Sequence, residues 1–161
     1  MKDIHMRRTD RELLKPEEIT DVLSAGTIAQ IAFIDGQESY IVTMNYGFSD
    51  DPSGLKLYFH CANQGRKIDC IRNNPQVCFT ISICDPFTPA AKACGYGMKY
   101  RSVVGYGKIR IITDDTERIT GLNQLMKQYT GKDSWEYDQE MLKKTTVFCL
   151  DVERISGKQR K

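Results

Sequence analysis

The chain reads LYFHCANQGRKIDCIRNNPQVCF from Leu57 to Phe79, and this stretch decides more about the fold than any other. It begins with the alternation typical of a β-strand, because Phe59 and Cys61 fall on one face and His60 falls on the other. We therefore predict a half-buried strand that ends near residue 62.

A short helix is predicted directly after this strand. Residues 62–65 (Ala-Asn-Gln-Gly) interrupt the alternation, and a helix that begins at Arg66 would bury Ile68 and Ile71. That helix must end before Pro75, because the residue preceding a proline is disfavoured in the helical region. A second strand follows the proline, so the stretch is a strand–helix–strand unit.

The start of this helix has an unusual charge pattern. Helix N-termini carry positive partial charge and attract Asp or Glu, yet this one begins with Gly65-Arg66-Lys67. Two cations beside exposed N–H groups are typical of an anion site, above all a phosphate site. The alternative is that both side chains point into water.

Length and charge restrict the class of protein. The 161 residues fit one domain, and the formal net charge of +2 is too small to indicate nucleic-acid binding. No apolar run approaches the roughly 18 residues that a membrane span needs, and the charged beginning MKDIHMRRTDRE is unlike a signal peptide. A cytoplasmic protein with neither nucleic acid nor membrane as partner is expected.

The cysteines and histidines give no sign of a metal site. The six cysteines occur without a C-x-x-C pair, and several lie within strand patterns where a free thiol behaves as a small apolar residue. Only His5 and His60 are present. We expect reduced structural thiols and no bound metal.

The remaining pattern predicts a mainly β protein with peripheral helices. Helices are expected from Pro16 to Gly26, from Asp114 or Asp115 to Gly131, and over a short segment at 137–144. Strands are predicted at 27–34, 40–46, 57–61, 76–84, 98–113 and 146–152, with a loop at 49–54 and another at 85–97.

Several short connections and one long strand indicate a small barrel. The strand over 98–113 contains Gly105 and Gly107, which would let it bend at a barrel corner. A single domain over residues 1–161 is expected, with residues 1–13 as a polar arm and residues 153–161 as a solvated basic tail.

Some enzyme classes are disfavoured by the residues present. The chain has no G-x-S-x-G and no G-x-G-x-x-G motif, and alternation separates His60 from Cys61, so a Cys–His dyad is unfavourable. Arg101 and Ser102 offer a charge and a hydroxyl suited to phosphate oxygens. A regular strand would place these two side chains on opposite faces, so both reach one ligand only at a bulge or a subunit boundary.

Four segments carry a resemblance to a known family. They are MRRTDRE at 6–12, YIVTMNYGF at 40–48, the stretch quoted at 57–79, and YRSVVGYGKIRII at 100–112. In this order they resemble the pyridoxamine-phosphate-oxidase-like flavoproteins, and most closely their nitroimidazole-resistance branch. The C-terminal ISGKQRK differs from the substrate-gripping end of true pyridoxamine phosphate oxidases, so oxidation of vitamin B6 is not expected.

The resemblance implies a fold, a cofactor and a set of site residues. It implies a six-stranded antiparallel split β-barrel that forms a homodimer, with one FMN in each cleft between subunits. It implies that Arg66 and Lys67 hold the FMN phosphate, with help from Ser102 and Arg101. The residues implied to line the ribityl chain and the ring are Met44, Asn45, Tyr46, Phe59, His60, Cys61 and Ala62.

The resemblance also implies an activity. Reduced FMN would pass electrons to a small acceptor such as a nitroaromatic compound, and His60 would donate a proton or contact the substrate. The alternative role for His60 is a hydrogen-bonded interface residue. The alternative function is a non-enzymatic flavin- or haem-binding protein on the same barrel.

Overall fold

A computed structural model describes residues 6–160. Eight strands form one antiparallel sheet in the order β3-β2-β6-β7-β8-β5-β4, with β1 added to β8. The strands are β1 (Glu12–Leu13), β2 (Ala29–Asp35), β3 (Glu38–Met44), β4 (Gly47–Asp51), β5 (Gly54–Ala62), β6 (Gln76–Thr88), β7 (Gly97–Ile111) and β8 (Thr145–Arg160). The helices are α1 (Pro16–Ala25), α2 (Arg66–Asn73), α3 (Asp115–Thr130) and α4 (Gln139–Lys143).

The predicted fold class is confirmed. The six longest strands, β2, β3, β5, β6, β7 and β8, curl into the split barrel, and the sheet does not close because β3 and β4 are its two ends. Among the described strands, no hydrogen-bonded pairing therefore closes the barrel. The barrel instead encloses an apolar core to which α1 and α2 contribute.

Two hydrophobic clusters divide the sheet into an inner and an outer side. The inner cluster fills the barrel and includes Phe59, which stacks on Phe148 with ring centroids 5.4 Å apart. The outer cluster lies between β5, β8 and α3 and includes Tyr58, Val147 and Leu122. Alternation along β5 therefore places Phe59 inside and His60 on the α3 side.

The helix ends follow the sequence signals. Asp114 accepts a hydrogen bond from the N–H of Glu117 at 2.8 Å, and Gly131 ends α3 in the left-handed conformation. Helix α1 starts at Pro16 as predicted. Strand β7 also shifts register against β8 between Tyr106 and Gly107, at the predicted corner.

The expectation of a solvated C-terminal tail is wrong for residues 153–160. These residues continue β8, where they pair with β7 on one side and with β1 on the other. Ile155 and the buried Gly157 alternate with polar residues, as is typical of a strand. The many charged residues of this segment hide that pattern in the sequence. Backbone pairing stabilises the strand while its Lys and Arg heads stay near water.

The expected mobile arm and two expected loops also need correction. Residues 12–13 form β1, and Leu13 is only 5% exposed because it packs into the barrel core. Residues 47–51 form β4 in a hairpin with β5, and β6 continues to Thr88. His5 lies outside the described residues. No described helix is long and apolar enough to cross a membrane.

Candidate functional site

The turn between β5 and α2, residues 63–67, has the backbone geometry of an anion site, and we call it the anion turn. Gly65 caps α2 with φ of 131°, a conformation that side-chain-bearing residues rarely adopt. Ile68 donates its N–H to the Gly65 carbonyl at 2.9 Å. The N–H groups of Arg66 and Lys67 belong to the first turn and have no carbonyl partner within the helix.

Arg66 is held by carboxylates of the β2–β3 hairpin. Its Nε donates to Asp35 Oδ2 at 2.6 Å, and its second guanidinium nitrogen donates to Glu38 Oε2 at 3.0 Å. The guanidinium also lies 4.5 Å from the centre of the Tyr40 ring. Arg66 therefore fastens α2 to the hairpin, and a ligand phosphate would have to compete with two carboxylates for it.

Lys67 is the open cation of the anion turn. Its side chain is half-buried, and no ion pair or hydrogen bond engages it within residues 6–160. Its positive charge lowers the pKa of both His60 and Cys61, so Lys67 lies beside the end of β5. An ammonium group next to two open N–H groups fits a phosphate.

His60 lines a mainly apolar pocket of about 240 Å³ on the α3 side of the sheet. Side chains from α3, from the connection after it, and from α4 form the other walls. They are Leu122, Leu125, Met126, Tyr137, Asp138, Met141, Leu142 and Thr145. We call this the His60 pocket, and its surface suits a small, uncharged ring.

The ring of His60 favours its neutral form. His60 is exposed at the mouth of the pocket, yet desolvation by the pocket walls lowers its pKa below the ordinary 6.5, and the charge of Lys67 lowers it further. At neutral pH the imidazole therefore carries one N–H donor and one acceptor nitrogen. This arrangement suits a hydrogen bond to a neutral ligand better than a permanent charge would.

Cys61 faces the barrel side, as alternation predicts. Its thiol donates to the Ala62 carbonyl at 3.1 Å, and burial raises its pKa, so the reactive thiolate is disfavoured. All six cysteines lie within residues 6–160 and are free. In the same part of the chain, no cluster of three or more His, Cys, Asp or Glu is placed to hold a metal.

Asn63 connects the anion turn to α4, a contact that no local sequence pattern predicts. Its amide nitrogen donates to the Lys143 carbonyl at 2.7 Å, and its amide oxygen accepts from the Thr146 hydroxyl at 2.9 Å. Both partners are about 80 positions further along the chain. The anion turn and the wall of the His60 pocket are therefore held together.

Two of the residues implied to line a flavin are core residues. Tyr46 and Phe59 are fully buried, and the Tyr46 hydroxyl donates to the Leu23 carbonyl at 2.5 Å. Their side chains shape the barrel from inside, and the expectation that Tyr46 and Phe59 line a flavin stays a prediction. Asn45 and Ala62 are exposed, and Met44 is half-buried at the end of β3, so these three remain accessible.

Arg101 and Ser102 point to opposite faces of β7. Arg101 shares the face of buried Val103, beyond the end of the core, while Ser102 lies opposite Ser82 on the outer face. Strand β6 begins after α2 at Gln76, which pairs with Lys108. Six strand positions separate Lys108 from Ser102, about 20 Å. The expectation that Arg101 and Ser102 help to hold the FMN phosphate stays a prediction.

A protein-family model supports the resemblance seen in the sequence. The model for pyridoxamine 5'-phosphate oxidase matches residues 15–159, which include β2 to β8, the anion turn and the His60 pocket. No curated protein matches the chain.

Solved structures share the fold over most of the chain. A candidate 5-nitroimidazole antibiotic resistance protein from Bacteroides thetaiotaomicron is 26% identical, with a TM-score of 0.78 over 92% of this chain and 86% of that one. The flavocytochrome Anf3 from Azotobacter vinelandii is 18% identical, with a TM-score of 0.79 over 98% of this chain and 72% of that one. An FAD and heme binding protein from Mycobacterium smegmatis is 17% identical, with a TM-score of 0.79 over 94% and 74%.

Proposed function

Because the chain belongs to the pyridoxamine 5'-phosphate oxidase family over residues 15–159, we propose that it is an FMN-dependent oxidoreductase that reduces small acceptors. The acceptors proposed are 5-nitroimidazoles and related nitroaromatic compounds. A cytoplasmic location belongs to the same proposal.

One observation carries this proposal: Lys67 lies open at the anion turn and within electrostatic reach of His60. A phosphate site and an apolar ring pocket are thus joined at the end of one strand. FMN bound by its phosphate at the anion turn would have a small aromatic acceptor beside it in the His60 pocket. The residues present therefore fit the group.

Bound FMN would supply the two-electron chemistry, and the chain would supply binding and orientation. Lys67 and the N–H groups of the first turn of α2 would hold the phosphate. Asn45, Met44 and Ala62, all accessible near strand ends, would flank the rest of the cofactor. Arg66 would act mainly by fixing the position of α2.

We propose that a second copy of the chain completes the site. A pocket of about 240 Å³ is smaller than the range typical of drug-sized ligands, so it can hold a small ring but not a whole FMN. Ser102 lies about 20 Å along β7 from Lys108, the partner of Gln76 at the start of β6. In a homodimer with FMN between the subunits, the partner's outer sheet face would cover the cofactor and bring Ser102 to it.

His60 would position the acceptor rather than carry a permanent charge. Its lowered pKa keeps the imidazole neutral at pH 7, so its N–H can donate a hydrogen bond to a nitro or carbonyl oxygen. The apolar walls of the His60 pocket would exclude water from one side of the acceptor. The 26% identity with the Bacteroides thetaiotaomicron protein supports 5-nitroimidazoles as the acceptor class.

The second candidate function is flavin or haem binding without turnover. Two proteins that share the fold are a flavocytochrome and an FAD and heme binding protein. A neutral imidazole is also the form that ligates haem iron. His60 is the only histidine among the described residues that could serve this role.

A spectrum and a turnover assay would separate the two candidates. The purified protein is expected to be yellow and to release FMN on denaturation. Under anaerobic conditions, the chemically reduced protein should be reoxidised by a 5-nitroimidazole with loss of the nitro absorbance. A colourless protein that does not take up FMN would contradict the proposal. A flavin- or haem-loaded protein that leaves the nitro compound intact would favour the second candidate.

A further inference from the structure

A second basic cavity lies at the opposite end of the sheet from the anion turn. Two adjoining pockets of about 370 and 310 Å³ share Gln159 and Arg160 at the end of β8. The first is bounded by β6 and the start of β7, and the second by the N-terminal arm. We call the two together the basic groove, and its remaining lining residues are Arg8, Asp10, Arg11, Ile83, Asp85, Lys99, Tyr100 and Arg101.

The basic groove concentrates positive charge. Five cations line it, against two carboxylates, an excess of three charges, whereas the whole 161-residue chain has a formal net charge of only +2. Asp10 is already engaged, because Arg8 binds it at 2.6 Å and Arg11 lies 4.0 Å from it. Lys99, Arg101 and Arg160 have no ion pair or hydrogen bond within the part of the chain that the structure describes.

Such an arrangement favours an anionic ligand. Like charges in a concave surface repel one another, and the surrounding protein screens them less than open water does. A bound anion would relieve this repulsion and gain charge-assisted hydrogen bonds, which guanidinium groups form well with phosphate oxygens.

We propose that the basic groove binds the diphosphate of a dinucleotide-class ligand. Each of its two lobes contains cations of its own, Lys99 and Arg101 in one and Arg8 and Arg11 in the other, and Arg160 belongs to both. Two adjacent phosphate groups match this distribution. Tyr100 adds an aromatic residue for stacking, and the combined volume exceeds what inorganic diphosphate fills.

This site is distinct from the FMN phosphate site proposed above. Arg101 faces the basic groove and Ser102 the outer sheet face, so the two neighbours serve different ligands. Two sources share the required chemistry: a nicotinamide dinucleotide that supplies electrons, and the adenylate half of FAD. A nicotinamide dinucleotide in the groove would leave the anion turn free for FMN, whereas FAD in the groove would have its FMN phosphate there and not at the anion turn.

The test uses isothermal titration of the purified full-length protein with ADP, AMP and adenosine. ADP should bind more tightly than AMP, adenosine should not bind, and added salt should weaken the binding of ADP. The double variant Lys99→Gln/Arg160→Gln should bind ADP at least tenfold more weakly. The control Arg72→Gln/Lys108→Gln removes the same charge from exposed positions outside the groove and should stay within twofold of the parent.

Equal ADP affinity in the parent and the groove variant would overturn the proposal, as would adenosine binding as tightly as ADP. Competition against bound ADP by NADH, NADPH and FAD identifies the source, because only a ligand whose diphosphate enters the groove displaces it. FMN titration of the same two variants separates this proposal from the flavin proposal. If the protein binds ADP but not FMN, the groove proposal stands and the proposed FMN-dependent function is wrong.

Discussion

Arg66 Nε lies 2.6 Å from Asp35 Oδ2, so the helix that opens the anion turn is fastened to the hairpin between β2 and β3. Glu38 binds the same guanidinium at 3.0 Å. The sequence suggests two equivalent phosphate-binding cations, whereas the structure gives them different tasks. Arg66 is engaged by protein carboxylates, and Lys67 is open.

Releasing Arg66 should strengthen anion binding at the turn. In the double variant Asp35→Asn/Glu38→Gln, the guanidinium no longer has charged partners, so we expect FMN affinity to rise severalfold. The free energy of unfolding should change little, since exposed ion pairs contribute little. Flavin fluorescence quenching and urea unfolding measure the two effects. A loss of FMN affinity would mean that the hairpin contact itself shapes the site.

The stability of the protein should depend on the protonation of His60. Its folded-state pKa lies below 6.5, so the unfolded chain binds more protons once the pH falls below that value. The contribution of neutral His60 is therefore complete above pH 6.5 and is lost progressively as the pH drops toward the folded pKa. Replacing His60 with Gln should flatten this part of the curve of unfolding free energy against pH. An unchanged curve would show that His60 is not responsible.

Gly47 should not tolerate a side chain. A Cβ at this position would overlap the backbone of Gln124 in α3, because β4 and α3 pack closely there. Overpacking against backbone cannot be relieved by a rotamer change, so Gly47→Ala should cost about 1–3 kcal/mol of unfolding free energy. Asp50→Ala, at an exposed position in the same strand, serves as the control and should change stability by less than about 0.5 kcal/mol. Equal stability of the two variants would contradict the close packing.

Local patterns predicted most of the fold. The alternation around Phe59, the cap at Asp114 and the proline after α2 each depend on neighbours in sequence, and each reports directly on backbone geometry. The errors occurred where pairing depends on distant partners. Residues 153–160 are polar enough to suggest a tail, and they form a strand because β1 and β7 supply backbone partners.

The candidate site was predictable only in part. The Gly65-Arg66-Lys67 turn is visible in the sequence, and so is the separation of His60 from Cys61. The different roles of Arg66 and Lys67 could not be predicted, because the carboxylates that bind Arg66, Asp35 and Glu38, are about 30 positions away in the chain. Tyrosine is a residue type that often contacts ligands, but the hydroxyl of Tyr46 donates a hydrogen bond to the carbonyl of Leu23.

The most direct test of the central claim is the FMN affinity of a Lys67→Ala variant. Loss of a charge-assisted hydrogen bond to phosphate costs about 1.5–3 kcal/mol, so the dissociation constant for FMN should rise roughly 10- to 150-fold. Arg72→Ala, which removes an exposed cation from the same helix, should leave it unchanged. If Lys67→Ala binds FMN as tightly as the parent protein does, the anion turn does not hold the cofactor phosphate.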